Sequence, residues 1–259
     1  MNALDNSSFL LVLYDYAGRL SSMISRRQFI IRTGFAAGGM SAFAGFGCGG
    51  SGGSQLTAPP MSIKAYRSQL VPIDSRYSMA RTEVTVGMWK EYCAATRQPM
   101  PAAPEWGWID NHPIVFVDWH ECDKYARWAG LRLPSGDEWE LAATGGDGRN
   151  YPWGGYGPST DGGYTFPGWD ETRCANWVRG NRSTDPVGLY PLGDSPFGLA
   201  DMAGNVWEWM ADDLDSGKQV RGASWLNNIT NNFCSAYRTS VPSTTSYNYI
   251  GFRLVADRV

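Results

Sequence analysis

Residue types that commonly carry catalysis are few in this chain and stand apart from one another. The only histidines are His112 and His120, and none of the five cysteines forms a C-x-x-C pair, so a zinc centre is not expected. No Ser/His/Asp motif, phosphate-binding loop or catalytic pair of carboxylates is recognisable. Glu138, Glu140 and Glu208 stand among tryptophans, where helix capping and ion pairing are the commoner roles. These residues favour a protein that is not an enzyme.

One stretch has the composition of a binding surface. Between Asn227 and Tyr249, sixteen of twenty-three residues are Asn, Ser, Thr or Tyr, and only Arg238 is charged. Tyrosine offers a large, rigid contact area, while Ser and Asn adapt their hydrogen bonds, so antibody loops are rich in the same types. We therefore predict a ligand-binding face. Its predicted contact residues are Asn227, Asn228, Thr230, Asn231, Asn232, Tyr237, Thr239, Ser240, Ser246, Tyr247, Asn248 and Tyr249.

An apolar frame must hold this stretch in place. Ser224-Trp225 precedes it, and Ile250-Gly251-Phe252-Arg253 follows it. On a strand leading into this second segment, Tyr247 and Tyr249 would point to the same side. A fixed backbone would allow the side chains to change without unfolding the domain. The residues predicted to be fixed are Trp225, Ala236, Arg238, Pro242, Ile250, Gly251 and Phe252.

Three helices are predicted ahead of the polar stretch. Thr85, Asp118 and Ser135 each precede a segment with apolar residues at helical spacing, and all three are favoured N-cap types. Glu138 stands three residues after Ser135, as in a capping box. Gly130 is expected to end the second helix.

After the third helix the helical pattern stops. Residues 145–190 are rich in Gly, Pro, Asn and Asp, which is typical of long ordered loops. We expect Trp153, Trp169 and Trp177 to pin them. Short strands are predicted in segments 114–117, 205–212, 219–225 and 250–257. Helices followed by loops and short antiparallel strands indicate an α+β fold.

The beginning of the chain predicts an export signal. Arg26 and Arg27 precede a Gly- and Ala-rich segment that resembles a twin-arginine signal. The segment is too short and too weakly apolar for a transmembrane helix. It ends in "AGFGC", which resembles a lipobox in which Cys48 is acylated after cleavage. We therefore expect a protein that is exported, lipid-anchored to the membrane and exposed at the surface.

This signal divides the chain into three parts. Residues 1–47 are the predicted signal, whose true start is either Met1 or Met23. Residues 48–60 are the lipidated cysteine and a flexible tether rich in Gly and Ser. Residues 61–259 are the folded domain. Because residues 1–47 carry four arginines and two aspartates, their removal changes the formal net charge from −3 to about −5.

Long motifs spread over the domain resemble those of one known family. The matching segments extend from about Glu83 to Val255 and include "TEVTVGMWKEYCAAT", "RLPSGDEWE", "GLADMAGNVWEW", "RGASW" and "IGFRLV". They resemble the formylglycine-generating enzymes, the sulfatase-modifying factor family. The resemblance implies a C-type-lectin-like fold with few helices, short antiparallel strands and long ordered loops.

The enzymes of this family oxidise a substrate cysteine with two cysteines that lie a few residues after a "GGS" motif. Here the corresponding "GASW" is followed by Leu226 to Asn232 without a cysteine, and Cys234 stands outside the paired positions. Two thiolates are needed for a copper site and for disulfide exchange of that type. The resemblance therefore implies the fold of these enzymes and not their activity.

The same resemblance implies a calcium ion at "DMAGNVWE". The family's ligands correspond here to Asp201, the carbonyl groups of Gly204 and Val206, and Glu208. Oxygen ligands that alternate along the chain suit calcium. The alternative is a tight turn in which Glu208 only accepts hydrogen bonds. No cofactor other than calcium is expected.

The polar stretch and its frame also resemble the variable region of proteins that a retroelement diversifies, many of which end in "RGGSW…SA.R…GFR". In that system, random replacement of template adenines turns AAY codons for Asn into codons for Ser, Thr, Tyr, Ile or Val and never into a stop codon. The composition between Asn227 and Tyr249 is what such a process leaves. The resemblance implies a receptor-like protein whose region of about 221–255 varies.

The expected partners follow from these features. The ligand would be a protein or a glycan on another cell, a phage or a host surface, and the lipid anchor would contact the membrane. The domain has no basic stripe, so nucleic acid is not an expected partner, and a monomer is expected. Two alternatives remain, namely an enzyme of the formylglycine-generating type and a degenerate member with a fixed structural or binding role.

Overall fold

The computed structural model describes residues 62–159, 161–163 and 165–258. The predicted export signal with Arg26 and Arg27, the lipidation site Cys48 and the tether lie outside the described residues. Within these ranges, no helix has the length and apolar character needed to cross a membrane.

Four helices are present in the described part of the chain. They are α1 (Ile63–Ser68), α2 (Val86–Thr96), α3 (Trp119–Trp128) and α4 (Gly136–Thr144). The three predicted helices and their N-caps are confirmed. Thr85 accepts a backbone N–H of the first turn of α2. Asp118 and Ser135 form complete capping boxes with Glu121 and Glu138, so local side-chain chemistry sets where α3 and α4 begin.

Seven strands form two sheets. They are β1 (Leu70–Pro72), β2 (Tyr77–Ala80), β3 (Trp207–Leu214), β4 (Gly217–Arg221), β5 (Thr239–Val241), β6 (Ile250–Gly251) and β7 (Val255–Asp257). One sheet has the order β1-β2-β7 and the other β5-β4-β3-β6. All neighbours are antiparallel except β3 and β6, which are parallel. The predicted α+β class is confirmed, although one of the strand pairs is not antiparallel.

Two predicted strands are wrong in part or entirely because the backbone turns. The segment Ile114–Val117 is irregular, and Phe116 within it has φ +57°, a left-handed conformation that a strand does not accommodate. The strand predicted in 219–225 ends at Arg221. Gly222 and Ala223 follow with φ values of +96° and +62°, so the chain leaves the sheet there.

The segment predicted as one strand over 250–257 is divided between the two sheets. It forms β6 and β7, and the residues between them bond to a loop. The backbone N–H of Val84 donates to the carbonyl of Phe252, and that of Ala80 donates to the carbonyl of Leu254, each over 2.9 Å. This short connection ties the two sheets together.

Aromatic rings hold the long loops, as the sequence predicts for two of three tryptophans. Trp153 stacks on the buried ring of Tyr151, with centroids 5.3 Å apart, and Trp169 packs on Phe233 at 4.8 Å. The prediction for Trp177 is wrong, because 42% of this residue is exposed. Trp177 lies on the surface and does not pin the loop from within.

Phe252 is a test of the predicted frame. It is fully buried, and its ring meets those of Trp89 and Tyr125 at centroid distances of 6.0 and 5.4 Å. We expect Phe252→Ala to lower the free energy of unfolding by about 3–5 kcal/mol, because it leaves a cavity among rigid rings. Chemical denaturation measures this change.

The matched control is Leu192→Ala, because Leu192 is 72% exposed and its loss should change stability by no more than about 0.5 kcal/mol. Indistinguishable denaturation curves for the two variants would contradict a framing role for Phe252.

Candidate ligand-binding face

The predicted contact residues gather around one end of the four-stranded sheet. Trp207 opposes Ile250, and Val220 opposes Thr239, so β3, β5 and β6 begin at the end of the sheet where β4 ends. The connections from β4 to β5 and from β5 to β6 carry ten of the twelve predicted residues, and the other two lie in β5. Strand register therefore brings the predicted residues together.

The domain holds this segment mainly by its backbone. Four carbonyl groups within it accept hydrogen bonds from residues elsewhere in the domain or in its frame. The pairs are Phe116 N to Tyr247 O (3.0 Å), Trp207 N to Tyr249 O (2.9 Å), Trp177 N to Asn227 O (3.1 Å) and the Trp225 indole N–H to Asn248 O (3.1 Å). Because a main-chain carbonyl is common to every residue type, these bonds do not depend on which side chain the segment carries.

The side chains of the segment are accessible to solvent. Asn228 and Ser246 are exposed, and the other ten predicted residues are half-buried, so none of the twelve belongs to the buried core. Apart from Asn227 and Thr230, these side chains form no hydrogen bond with the rest of the domain in the part that the structure describes. Whether they contact a ligand stays a prediction.

Asn227 differs from its neighbours because its side chain turns inward. Its amide oxygen accepts hydrogen bonds from the backbone N–H of Ser224 at 2.9 Å and from the Ser224 hydroxyl at 2.8 Å. Ser224 is completely buried, so Asn227 satisfies two buried donors. We therefore regard Asn227 as a support of the turn. Thr230 also faces inward, toward the phenol of Tyr151.

The strand expected through Tyr247 and Tyr249 is wrong, but the two side chains lie together. Residues 248 and 249 form a turn, and the tyrosine rings stack with centroids 5.0 Å apart and planes 10° apart. Burial raises the pKa of Tyr249 to about 12, so its phenol stays neutral at physiological pH. Tyr237 packs against Trp207 at 6.0 Å. The tyrosines thus form aromatic surfaces supported by the frame.

The predicted fixed residues separate into two groups. Trp225, Ile250, Gly251 and Phe252 are buried, as the frame requires, whereas Ala236, Arg238 and Pro242 are exposed. Burial therefore supports a structural role for the first group alone.

Two tryptophans that the sequence analysis did not assign to the face lie beside it. Trp106 meets Trp225 edge to face, with centroids 5.5 Å apart. Trp177 is half-exposed and bonds to the backbone of Asn227. The available signal for Trp106 was its place in "APEWGW", because an aromatic residue in a loop has a surface role more often than a core residue does.

The thiols and imidazoles do not form a reactive site. Cys93, Cys122, Cys174 and Cys234 are all free and buried. Burial raises the pKa of Cys234 to about 11, so this group is a thiol and not a nucleophilic thiolate at neutral pH. His112 is buried against the hydroxyl of Thr184 at 2.9 Å, which confirms the structural role expected for it.

The residues predicted to bind calcium do not fit a calcium site in this arrangement. Both carboxylate oxygens of Glu208 accept from the Arg253 guanidinium at 2.7 Å, and one also accepts from the Trp139 indole at 2.9 Å. Asp201 accepts from the backbone of Gly188 at 2.6 Å. Within the described ranges, no group of three or more His, Cys, Asp or Glu residues is placed to hold a metal ion. Calcium at Glu208 would have to displace Arg253.

Comparison with known proteins agrees with this fold. The sulfatase-modifying factor enzyme 1-like domain matches residues 52–258. The formylglycine-generating enzyme of Streptomyces coelicolor is 35% identical over 196 residues, which cover 62% of this chain and 58% of that protein. The inactive C-alpha-formylglycine-generating enzyme 2 of Bos taurus is 36% identical over 137 residues, covering 49% and 44%. The chain thus spans about half the length of these relatives.

A solved structure shows the same architecture. The Treponema denticola variable protein 1 superimposes with a TM-score of 0.52 and 19% sequence identity, covering 71% of this chain and 84% of that one. This likeness is one of fold. The C-type-lectin-like fold of the formylglycine-generating type is confirmed.

Asn227 and Asn228 allow a matched test of inward and outward side chains. Asn227→Ala leaves the buried N–H and hydroxyl of Ser224 without an acceptor, so we expect the free energy of unfolding to fall by about 1–3 kcal/mol. Asn228→Ala changes an exposed side chain of the same type and should alter it by no more than about 0.5 kcal/mol. Denaturation curves that move equally would show that Asn227 does not support the turn.

Proposed function

Since the chain belongs to the sulfatase-modifying factor enzyme 1-like family, we propose that it uses this family's fold as a binding scaffold without catalysis. It is a receptor-like protein at the cell surface, and a retroelement diversifies its region of about 221–255. Arg26 and Arg27 direct its export, and lipidated Cys48 holds it at the membrane. The ligand is a protein or a glycan on another cell, a phage or a host surface.

The observation that carries this proposal is the way the domain holds the polar segment. The frame binds main-chain carbonyl groups and buries its own aromatic residues, while the intervening side chains are accessible. Adenine replacement changes side chains and leaves the main chain intact. A segment held in this manner keeps one backbone through many sequences, which is what a diversified binding surface requires. An ordinary polar loop of fixed function has no need of this separation.

The ten outward side chains form the proposed contact surface, which we call the variable face. Its members combine rigid tyrosines with amides and hydroxyls, a mixture that makes adaptable contacts at low entropic cost. The residues of the variable face are Asn228, Asn231, Asn232, Tyr237, Thr239, Ser240, Ser246, Tyr247, Asn248 and Tyr249.

The same geometry opposes formylglycine-generating activity. The segment after "GASW" supplies no thiol until Cys234, and that thiol is buried and carries a raised pKa. Oxidation by a cysteine pair needs two accessible thiols that ionise. The described residues do not supply such a pair at this place.

Randomised display libraries test the proposed separation between frame and variable face. Each position of the variable face is replaced by the residues that an AAY codon reaches, and the folded fraction is measured by protease resistance on the display surface. We expect most replacements to fold, because half-buried positions without hydrogen bonds tolerate change within about 0.5–1.5 kcal/mol.

The matched control applies the same replacements to Trp225, Phe233 and Ile250, where most variants should lose resistance because they open cavities or bury unpaired polar groups. Equal tolerance at both sets contradicts the proposed separation. The genomic locus gives a second test of the diversification itself. A near-copy of this segment with adenines at the differing positions, next to a reverse transcriptase gene, is expected, and the absence of both would overturn it.

An activity assay tests the absence of catalysis. A cysteine-containing sulfatase-motif peptide is incubated with the protein, copper and oxygen, and its oxidation is followed by mass spectrometry. We expect no aldehyde product. Turnover that disappears in Cys234→Ser would assign the thiol a catalytic role and contradict the proposal.

A further inference from the structure

A pocket of about 630 Å³ opens beside the variable face. One wall is the first half of α4, which contributes Asp137 and Glu140. The opposite side includes Asn231 and Tyr237, two members of the variable face, and Phe166 lines it as well. The pocket therefore joins a fixed helix to positions that the proposed diversification changes.

The charges around the pocket leave an excess of negative charge. Asp137 is exposed and forms no ion pair within the described residues. Glu140 contacts Arg221 at 3.1 Å through one carboxylate oxygen. The one basic residue in the lining, Arg149, is already paired with Asp147 at 2.6 Å. The uncompensated charge is thus the Asp137 carboxylate, with the second oxygen of Glu140 close by in sequence.

The two acidic residues lie on one side of the helix. Asp137 and Glu140 are three positions apart in α4, so their side chains are neighbours on the helix surface. Phe166 and Tyr237 are half-buried in the lining. Carboxylates together with aromatic and aliphatic walls suit a long side chain that has an apolar stem and a cationic end. A planar guanidinium has the fork geometry to reach neighbouring carboxylates.

We infer that this pocket receives an arginine side chain of a protein ligand. The inference deepens the proposed function and rests on it, because Asn231 and Tyr237 are then contact residues. Asp137 and Glu140 supply a constant charge, while replacements at Asn231 and Tyr237 change the width and depth of the opening. Different members of a diversified set would share the preference for a cationic anchor and differ in what surrounds it.

Small probes test the pocket on the folded domain. N-acetyl-arginine methylamide and its uncharged citrulline analogue are titrated separately, and the amide chemical shifts of Thr144, Asn231 and Ala236 are followed by NMR. We expect the arginine probe to bind about 3- to 10-fold more tightly, because only it carries the charge that the carboxylates attract. In Asp137→Asn, the preference should fall to about 2-fold or less.

The control variant is Asp215→Asn, which removes the same charge from the turn between β3 and β4. It keeps the left-handed conformation there, because Asn adopts φ values near the +49° of Asp215 readily. We expect this variant to retain the full preference for arginine. Equal affinities for the two probes in the unmodified protein, or equal losses in the two variants, would overturn the inference.

A methyl glycoside serves as the third probe. Shifts of the same amides by the glycoside and not by the arginine probe would assign the pocket to a sugar and reject the cationic anchor. These results do not depend on the randomised libraries or the genomic locus. Failure of the proposed diversification is therefore distinguishable from failure of the pocket.

Discussion

A buried ion pair is the constraint on which the rest of the structure depends. Arg253 and Glu208 are both fully buried and contact each other through two hydrogen bonds of 2.7 Å. The guanidinium also donates to the carbonyl of Ala200 at 3.0 Å, and the carboxylate accepts from the Trp139 indole. A charge without a partner in this interior would cost several kcal/mol, so β3, α4, a loop and the connection between β6 and β7 can only assemble together.

This ion pair also places the variable face. Glu208 follows Trp207 at the start of β3, and Arg253 lies two residues after the end of β6. Fixing both charges fixes the end of the sheet at which the polar segment begins and returns. Burial and the nearby carboxylate of Asp201 raise the pKa of Glu83 in the same region. Arg253 therefore serves as the main positive charge among several buried acids, and Glu208 is not free for a cation.

The sequence predicts those features that local chemistry decides. N-caps such as Asp118 depend on a few neighbouring residues, and the structure confirms them. Strand ends depend on distant partners, so the interruption after β6 could not be predicted from the alternating pattern. Asn227 and Asn228 are the same residue type in the same composition. Only the packing of Ser224 beneath the turn decides that one points inward and the other outward.

Partial burial is the physical condition that makes diversification of this face possible. A fully enclosed site such as that of Phe233 would receive either a cavity or an unpaired polar group when its residue became Ser or Asn, and each of these costs stability. At a half-buried position, water can satisfy the polar atoms of Asn, Ser and Thr, and a tyrosine ring can extend over the frame. The residues reachable from an Asn codon are thus those that such positions accept. The mutational chemistry and the packing impose the same limit.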